Sequence, residues 1–345
     1  MAGGYPPRVR LGLHIGHWGA RPFDAVPLVR EAERLGFDSV WTSEAWGSDA
    51  VATIAWVAAH TERIGVGTAV MQIPARTPAA TAMTAITLDH LSGGRFRLGL
   101  GMSGPGLVEG WHGAAFDRPL ARTREYVGIV RAILRRAGPV EFRGEYYRMP
   151  AREGVGRPFQ SIVHPLRPDL PIYLAAMGPN NVTLAAEVAD GWLPLLFSPE
   201  RVDVFRSSLD EGFARGGRDP ASFDVAPMVP VEAGSDVAVC RDRVRQFVAL
   251  YVGGMGARGR NFYNDLVSRY GYEEESRRIQ DLFLDGRRRE AAAAVPDALV
   301  DELSLVGSRE RIRDRLAAWA AAGATTLLAQ TRDPQTLRTL VEANA

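Results

Sequence analysis

The sequence predicts a (β/α)8 TIM barrel, in which eight parallel strands alternate with helices. Short apolar runs alternate with amphipathic helical patterns along almost the whole chain, and there are eight such runs. A helix–glycine–strand joint occurs near both ends, as RLGFDSVW and as AAGATTLL. Eight strands that are each approached through a helix imply a parallel sheet. This count, with a length of 345 residues, favours a barrel over an open doubly wound sheet.

The predicted strands are short apolar segments separated by helical stretches such as FDAVPLVREAERLG and SRERIRDRLAAWAAAG. In chain order they are VRLGLHI from Val9, DSVWTS from Asp38, RIGVGTAV from Arg63, RFRLGL from Arg95, PIYLAA from Pro171, GWLPLLF from Gly191, FDVAPMVPV from Phe223 and TTLLAQ from Thr325.

Two segments interrupt the alternation. The first, at about 138–169, contains VEFRGEYYRMP and alternates like a hairpin, whereas the second, at about 253–306, is long and mostly helical. The alternation resumes after each of them, so we expect a single domain over 1–345. Insertions at the C-terminal face of a barrel usually serve as lids or cofactor clamps, and we expect both segments there.

Composition excludes several classes of function. The net charge is +1, which gives no reason to expect a nucleic-acid partner. All 41 basic residues are arginine, so mechanisms that need a lysine are excluded. Cys240 is the single cysteine and the six histidines form no ligand pair, so we expect neither a disulfide nor a metal site. Without a long apolar run or a signal segment, we expect a cytoplasmic protein that does not bind membranes.

Three short motifs have little weight. HIGHW, from His14, matches a signature of class I aminoacyl-tRNA synthetases, but those enzymes pair it with a lysine-rich motif that this chain lacks. GLGMSG and GMGARG have the spacing of the dinucleotide fingerprint. Pro105 and further glycines follow the first where a helix is needed, and no βαβ unit surrounds the second.

The predicted strand ends indicate the kind of ligand. Functional groups of a barrel lie just after the carboxyl ends of its strands. There the sequence has HIGHW, TSEAWGSD, AVMQIP and GMSG, which are rich in Trp, Met and Gly and contain few charges. Such a lining suits a large, flat, conjugated ligand better than a small, highly charged one.

The turn after the fifth strand combines Gly178, Pro179, Asn180 and Asn181. Glycine lets the backbone approach a ligand, proline presets the first helical turn, and both amide side chains can donate hydrogen bonds. The following helix points unpaired N–H groups to the same spot, which favours an anion such as phosphate. A well-capped turn without a ligand explains the same residues equally well.

Several segments together resemble the bacterial luciferase-like superfamily, and most closely its actinobacterial F420-dependent oxidoreductase branch. They are LGFDSVWTSEAWGSDA, GTAVMQIPARTP, GRFRLGLGMSGPGLVEGWHG, YLAAMGPNN, ADGWLPLLFSPE and LYVGGMGARGRNFYNDL. The resemblance covers essentially Val9 to Pro334. It implies a deazaflavin cofactor, coenzyme F420, which carries hydride at C5, with FMN as the alternative.

The resemblance also implies where the cofactor binds. A bulge after the third strand, often with a non-proline cis peptide behind the deazaflavin ring, falls at Ala69-Val70. Residues Gly101, Met102 and Ser103 line the ring or its ribityl chain. The cofactor phosphate lies at the strand-five turn, made by Ala176, Met177, Gly178, Pro179, Asn180 and Asn181. Arg258 and Arg260 grip the acidic tail of F420, or else are solvated loop arginines.

Differences from known branches of the family limit the range of substrates that this chain is expected to accept. Its sugar-phosphate dehydrogenases have a catalytic histidine where this chain has Ala45 and an acidic residue near Pro105, and they bind substrate phosphate partly through lysines. These differences argue against a glucose-6-phosphate activity. The methanopterin reductases have a glutamate on strand one where this chain has His14.

The remaining proton-handling groups are Glu44, Asp49, His14 and His112, of which the first three are predicted to be catalytic. An apolar pocket between Trp41 and Trp46 would raise the pKa of Glu44 and suit a general acid, but a role in bonding backbone amides is equally compatible. The predicted substrate pocket contains His17, Trp46 and His112.

Three functions fit these residues. The first is an F420-dependent oxidoreductase that acts on a small, mostly uncharged organic substrate. The second is an FMN-dependent monooxygenase of the same superfamily, and the third is a non-catalytic barrel that binds a flavin or deazaflavin. Since dimers are common in this family, we expect a homodimer.

Overall fold

The computed structural model describes residues 8–152 and 155–345 and shows an α/β fold. The strands are β1 (Arg10–Gly16), β2 (Ser39–Thr42), β3 (Gly65–Thr68), β4 (Met71–Gln72), β5 (Phe96–Gly101), β6 (Phe142–Arg143), β7 (Arg148–Met149), β8 (Ile172–Leu174), β9 (Gly191–Trp192), β10 (Asp224–Val225), β11 (Met228–Ala233), β12 (Leu305–Gly307) and β13 (Thr326–Gln330). Each of the eight predicted strand segments contains at least part of one of these strands.

Helices follow most of the strands. They are α1 (Val26–Arg34), α2 (Ala50–Ala59), α3 (Pro78–Leu91), α4 (Pro105–Gly110), α5 (Pro119–Arg135), α6 (Pro179–Val188), α7 (Asp203–Gly216), α8 (Val237–Ala249), α9 (Phe262–Arg269), α10 (Glu273–Leu284), α11 (Arg288–Ala293), α12 (Asp297–Leu303), α13 (Arg309–Ala321) and α14 (Pro334–Ala343). A π-helical turn at Leu250–Gly254 follows α8.

The main sheet is parallel and curled. Its strands are ordered β10-β9-β8-β5-β3-β2-β1-β13-β11-β12, and β4 also pairs with β5. Although β10 and β11 lie far apart in this order, only two residues separate them in the chain, so the sheet must bend round on itself. The carboxyl ends of its strands therefore all lie at the same end of the curled sheet.

The inside of the curled sheet is packed around two aromatic side chains. Trp41 and Tyr173 are buried, and their rings meet edge to face with centroids 5.1 Å apart. Neighbouring strands carry glycine where these rings lie. A Cβ atom on Gly67 would be 2.5 Å from Trp41, and one on Gly191 would be 2.3 Å from Tyr173. Large residues on two strands are thus matched by glycines on others, which fills the interior without clashes.

The first insertion forms the predicted hairpin, because β6 and β7 pair in antiparallel fashion. Its predicted position at the C-terminal face is wrong for the end of the segment but not for the hairpin, which packs on the first turns of α5 through hydrogen bonds from Tyr146 and Tyr147 to Glu125. The insertion follows α5, and a helix that packs on a parallel sheet returns the chain to the amino ends of the strands. Arg167 accordingly donates to the carbonyl of Phe96, the first residue of β5, and bonds Asp89 at the end of α3. The end of this segment therefore lies at the amino ends of the strands, whereas its hairpin reaches back to the start of α5.

The second insertion is mostly helical, as predicted, and contains α9 to α12. It lies against loops at the carboxyl ends of strands. Arg269 donates to the carbonyl of Met177 at 2.9 Å, and the Tyr270 hydroxyl donates to the carbonyl of Leu196 at 2.9 Å. The carbonyl of Met255 lies 4.0 Å from the position of a Cβ atom on Gly104. These contacts fit a cover over this end of the sheet.

Candidate active site

The loop after β3 carries a backbone feature that the sequence comparison implied. The peptide bond between Ala69 and Val70 is cis, and β3 ends just before it at Thr68. The chain then resumes as β4, which pairs with the end of β5. A Cβ atom on Gly101 would lie 2.7 Å from the Val70 side chain. Glycine is therefore needed at the end of β5, next to this bulge.

Ser103 and Met102 follow β5 at the same edge. Ser103 has a φ of +63°, in the left-handed region that non-glycine residues seldom adopt. Met102 is half-buried and packs against the main core. Together with Gly101, these residues border the Val70 bulge. A flat ring bound there would lie close to the backbone of Gly101 and would pack against an apolar side chain, that of Met102.

The predicted apolar pocket for Glu44 is wrong. Its carboxylate, with 8% of the side chain exposed, forms a bidentate ion pair with Arg76. It also accepts hydrogen bonds from the backbone N–H groups of Gln72, at 2.8 Å, and Ala50, at 3.2 Å. Trp46, expected as one wall of the pocket, is 53% exposed. Glu44 therefore has the alternative role, which is to bond backbone amides at a strand end.

Asp49 is held in a similar way. Its carboxylate caps α2 by accepting from the N–H of Ala52 at 2.6 Å, and it pairs with Arg76 on the other side. Arg76 thus joins two carboxylates that the sequence presented as catalytic candidates. In this arrangement both hold the loop between β2 and α2 in position.

Gln72 connects this ion-pair cluster to the loop after α4. Its side-chain amide donates to the carbonyls of Glu44 and Ala45, both at 3.0 Å. Its side-chain oxygen lies 2.6 Å from Nε2 of His112. Gln72 is 2% exposed, and both ends of its amide are hydrogen-bonded. It links three segments that are distant in the sequence.

In contrast to the side chain of Gln72, the ring of His14 is buried without well-formed hydrogen bonds to the described part of the chain. It lies on β1 with 3% of the residue exposed, and although the backbone of Ala69 approaches its ring, neither ring nitrogen makes a hydrogen bond of normal geometry to a described residue. Burial lowers the pKa of His14 to about 4, so the ring is neutral at physiological pH.

Gln330 ends the neighbouring strand, β13. Its side-chain oxygen is buried without a hydrogen-bond partner in the part of the chain that the structure describes. The pairing of β1 with β13 runs from Arg10 beside Thr326 to Leu13 beside Ala329. His14 and Gln330 each follow the last pair of this register in their strands.

The predicted substrate-pocket residues His17 and Trp46 lie together. Their ring centroids are 6.4 Å apart, and Nδ1 of His17 is 3.4 Å from the Ser43 hydroxyl. Burial, together with the positive charge of Arg332, lowers the pKa of His17. The structure thus groups His17 with Trp46 and Ser43, whereas His112 contacts Gln72.

The turn after β8, which is predicted to hold a phosphate, begins a helix that no side chain caps. Gly178 is the N-cap of this helix, α6, whose first turn contains no acidic residue. Pro179 has no N–H and the N–H of Asn181 donates to the Gly178 carbonyl at 3.0 Å, so the N–H of Asn180 is the first-turn group available to an anion. Nearby, Trp192 donates its ring N–H to the carbonyl of Ala176 at 2.8 Å and anchors the turn. The side chains of Asn180 and Asn181 belong to exposed residues.

Arg258 is not free in the described structure, because it forms ion pairs with Asp281 and Asp285 on and after α10. This contact agrees with the alternative of a surface arginine.

Among residues 8–152 and 155–345, no group of three or more potential ligands is arranged to hold a metal. Within the same residues no helix is both long and apolar enough to cross a bilayer.

Three site residues were not recognised from the sequence: Arg76, Gln72 and Gln330. Arg76 is one of 41 arginines, and its partners precede it by 32 and 27 residues. Gln72 and Gln330 are neutral amides, which carry no signature of acid–base chemistry. The signal available was position, because both lie at the carboxyl end of a strand segment, where functional groups are expected.

Comparisons with known proteins identify the family of the chain. A family model described as luciferase-like monooxygenase matches residues 6–326. A putative coenzyme F420-dependent oxidoreductase from Mycobacterium tuberculosis is 47% identical over 339 residues, which cover 96% of this chain and 98% of the relative.

Solved structures share the fold. The coenzyme F420-dependent tetrahydromethanopterin reductase from Methanopyrus kandleri superposes with a TM-score of 0.82 at 22% identity and covers 98% of both chains. An F420-dependent secondary alcohol dehydrogenase, solved with an F420-acetone adduct, has a TM-score of 0.76 at 19% identity, again with 98% of both chains covered.

Proposed function

Because the chain belongs to the luciferase-like monooxygenase family, we propose that it is an oxidoreductase dependent on coenzyme F420. It transfers a hydride between C5 of the deazaflavin and a small organic substrate. The observation that carries this proposal is the 47% identity, over nearly the full length, to a relative with that name. The structures at 22% and 19% identity support the fold alone.

The residues present suit this cofactor. The Ala69-Val70 bulge with Gly101, Met102 and Ser103 would hold the ring, and the segment 176–181 would hold the phosphate. An uncapped helix start without acidic residues supports the second assignment. The buried, unpartnered atoms of His14 and Gln330 support the first, because polar edges of a conjugated ring can hydrogen-bond to them.

F420 bound there would supply a two-electron hydride donor or acceptor. The protein's part is to orient the substrate carbon, exclude water and handle a proton. We assign the neutral ring of His14 to contact with the reacting region, and His17, Trp46 and His112 to the substrate pocket. Glu44 and Asp49, paired with Arg76, support the loops around it.

Further proposals concern the whole molecule. We propose that the curled sheet closes into an eight-stranded barrel, which the isolated parallel bridge between Leu195 and Met228 supports. In that barrel β10 and β11 count as one interrupted strand. We also propose a single domain, because buried residues of the second insertion belong to the main hydrophobic core. We further propose a cytoplasmic homodimer that acts on a small molecule, and the net charge of +1 gives no reason to expect a nucleic-acid partner.

The experiment is equilibrium binding of F420 and of FMN to three proteins: wild type, Gly178→Asp and Gly178→Ala. The Gly178 backbone has an ordinary φ of −73°, and a Cβ atom there would meet only the Asn181 side chain at 3.9 Å. Both variants should therefore fold, and aspartate is a favourable N-cap residue. We expect Gly178→Asp to weaken F420 binding about 100-fold, because its carboxylate repels the phosphate, while Gly178→Ala binds within about threefold of wild type.

The two cofactors separate the alternatives. Preference for FMN would transfer the protein to the oxygen-using branch of the family. Tight F420 binding without turnover of any substrate would favour the non-catalytic alternative. If Gly178→Asp bound F420 as tightly as Gly178→Ala, the phosphate would not lie at the start of α6.

A further inference from the structure

The amide orientation of Gln72 is determined by its surroundings. Its side-chain nitrogen lies 3.0 Å from two backbone carbonyls, those of Glu44 and Ala45, and only a nitrogen can donate to them. The other end of the amide must therefore be the oxygen. That oxygen can only accept, and the atom 2.6 Å from it is Nε2 of His112.

This contact determines the tautomer of His112. Because the Gln72 oxygen accepts, Nε2 of His112 must carry the hydrogen and donate it. In the neutral ring the lone pair is then on Nδ1. Nδ1 makes no hydrogen bond to any residue in the described ranges. One nitrogen of His112 is fixed, and the other is left able to accept a proton.

The other proton-handling candidates lack this combination. Both oxygens of Glu44 are bonded by Arg76 and by backbone N–H groups. Asp49 caps α2 and pairs with Arg76. Both nitrogens of His14 are buried. His112 is half-buried, lies between Trp111 and Gly113 on an exposed loop, and is attached to β4, two residues after the Val70 bulge.

We propose that His112 exchanges the substrate's proton through Nδ1, and that Gln72 is the positioning residue that fixes its tautomer. The proposal rests on the F420-dependent function given above. In oxidation, the substrate carbon loses a hydride, with its electron pair, to the deazaflavin. The heteroatom bonded to that carbon loses its proton to Nδ1, the bond between the two atoms becomes double, and His112 becomes an imidazolium. Reduction is the reverse.

The first test observes the tautomer without any turnover. Protein labelled with 15N in its histidine rings is measured by NMR at a pH at which His112 is neutral, and His112→Gln identifies the His112 signals. We expect Nε2 protonated and Nδ1 unprotonated in wild type, with this preference reduced in Gln72→Met, whose thioether is only a weak acceptor. A wild-type ring protonated at Nδ1 would overturn the proposal, even if Gln72→Met did not fold.

The second test asks whether Nδ1 faces the cofactor. Diethyl pyrocarbonate acylates unprotonated imidazole nitrogens, and mass spectrometry identifies each modified histidine. We expect saturating F420 to slow modification of His112 at least about fivefold and to leave the exposed His164 unchanged. A protein that binds F420 but does not protect His112 would keep its proposed function and contradict this proposal. Failure to bind F420 is detected separately by the titration.

The third test uses turnover of whichever alcohol, amine or carbonyl compound the wild type accepts in an F420-coupled absorbance screen. His112→Gln keeps a donor toward Gln72 but has no base, so kcat should fall about 100-fold or more, with F420 affinity unchanged. Gln72→Met should lower kcat by a smaller factor and leave KM within about threefold. Wild-type kcat in His112→Gln would show that another group takes the proton.

Discussion

The two sides of the candidate active site differ in how their polar groups are satisfied. On one side, around the ends of β2 and β4, Glu44, Arg76 and Gln72 are hydrogen-bonded to one another or to backbone. On the other side, at the ends of β1 and β13, His14 and Gln330 have buried polar atoms without partners among the described residues. Buried polar atoms are rarely left unpaired in native proteins.

This difference distinguishes residues that hold the loops in position from residues that bind the ligand. A satisfied network is rigid and specifies one arrangement of the loops, whereas an unpaired buried group costs free energy unless something binds to it. We therefore infer that the first side positions the site and that the second side meets the ligand. His112 lies at the boundary, since one of its nitrogens is bonded and the other is not.

The largest expected effect tests the supporting side. Arg76→Met removes the cation shared by Glu44 and Asp49, and it leaves the largely buried Glu44 carboxylate without its charge partner. Breaking a buried pair in this way typically costs about 3–5 kcal/mol. We expect the free energy of unfolding, measured by urea denaturation at neutral pH, to fall by that amount.

Arg124→Met is the matched control, because Arg124 pairs with Glu187 on the outer helices and is 47% exposed. A surface pair of this kind contributes about 0–1 kcal/mol. Equal losses in the two variants would mean that the Arg76 cluster is an ordinary surface network and does not support the site.

The fold was predictable where a single local pattern determined it. Apolar runs such as RFRLGL predicted strands, and eight of them predicted a parallel sheet. The end of the first insertion was assigned to the wrong face because the sequence alone did not show that the insertion follows α5 rather than a strand.

The site was harder to predict, because its contacts join distant segments. Glu44 next to two tryptophans suggested an apolar pocket, but Arg76, 32 residues later, bonds the carboxylate. The turn at Gly178 was recognisable, since a strand, a glycine, a proline and a helix start are all local features. The partners of a carboxylate are decided by the tertiary fold.

The second prediction concerns the pH dependence of stability and the side of the site that contains His14 and Gln330. The pKa of His14 is about 4 in the folded protein, compared with an ordinary value of 6.5. Between these values the unfolded chain binds more protons, so stability falls as pH drops from 6.5 to 4 and does not depend on His14 above that range. The loss attributable to His14 is about 3.5 kcal/mol at most, at roughly 1.4 kcal/mol per pH unit.

The measurement compares wild type with His14→Leu by urea denaturation at pH 7.5 and at pH 4.5. The leucine variant should lose less stability than wild type on acidification, whereas His164→Leu, at an exposed position, should follow wild type. Parallel pH profiles for wild type and His14→Leu would mean that His14 is accessible to protons in the folded state.

The prediction with the smallest expected effect compares the two sides most directly, because a glutamine is replaced by methionine on each side. Gln72→Met removes a donor from two backbone carbonyls and should cost about 1–3 kcal/mol. Gln330→Met removes an oxygen that has no partner among the described residues, so stability should change by less than about 1 kcal/mol. If Gln330 belongs to the binding side, its variant should instead weaken F420 binding, measured by the same titration as for Gly178. A stable Gln72→Met paired with a destabilised Gln330→Met would reverse the assignment of the two sides.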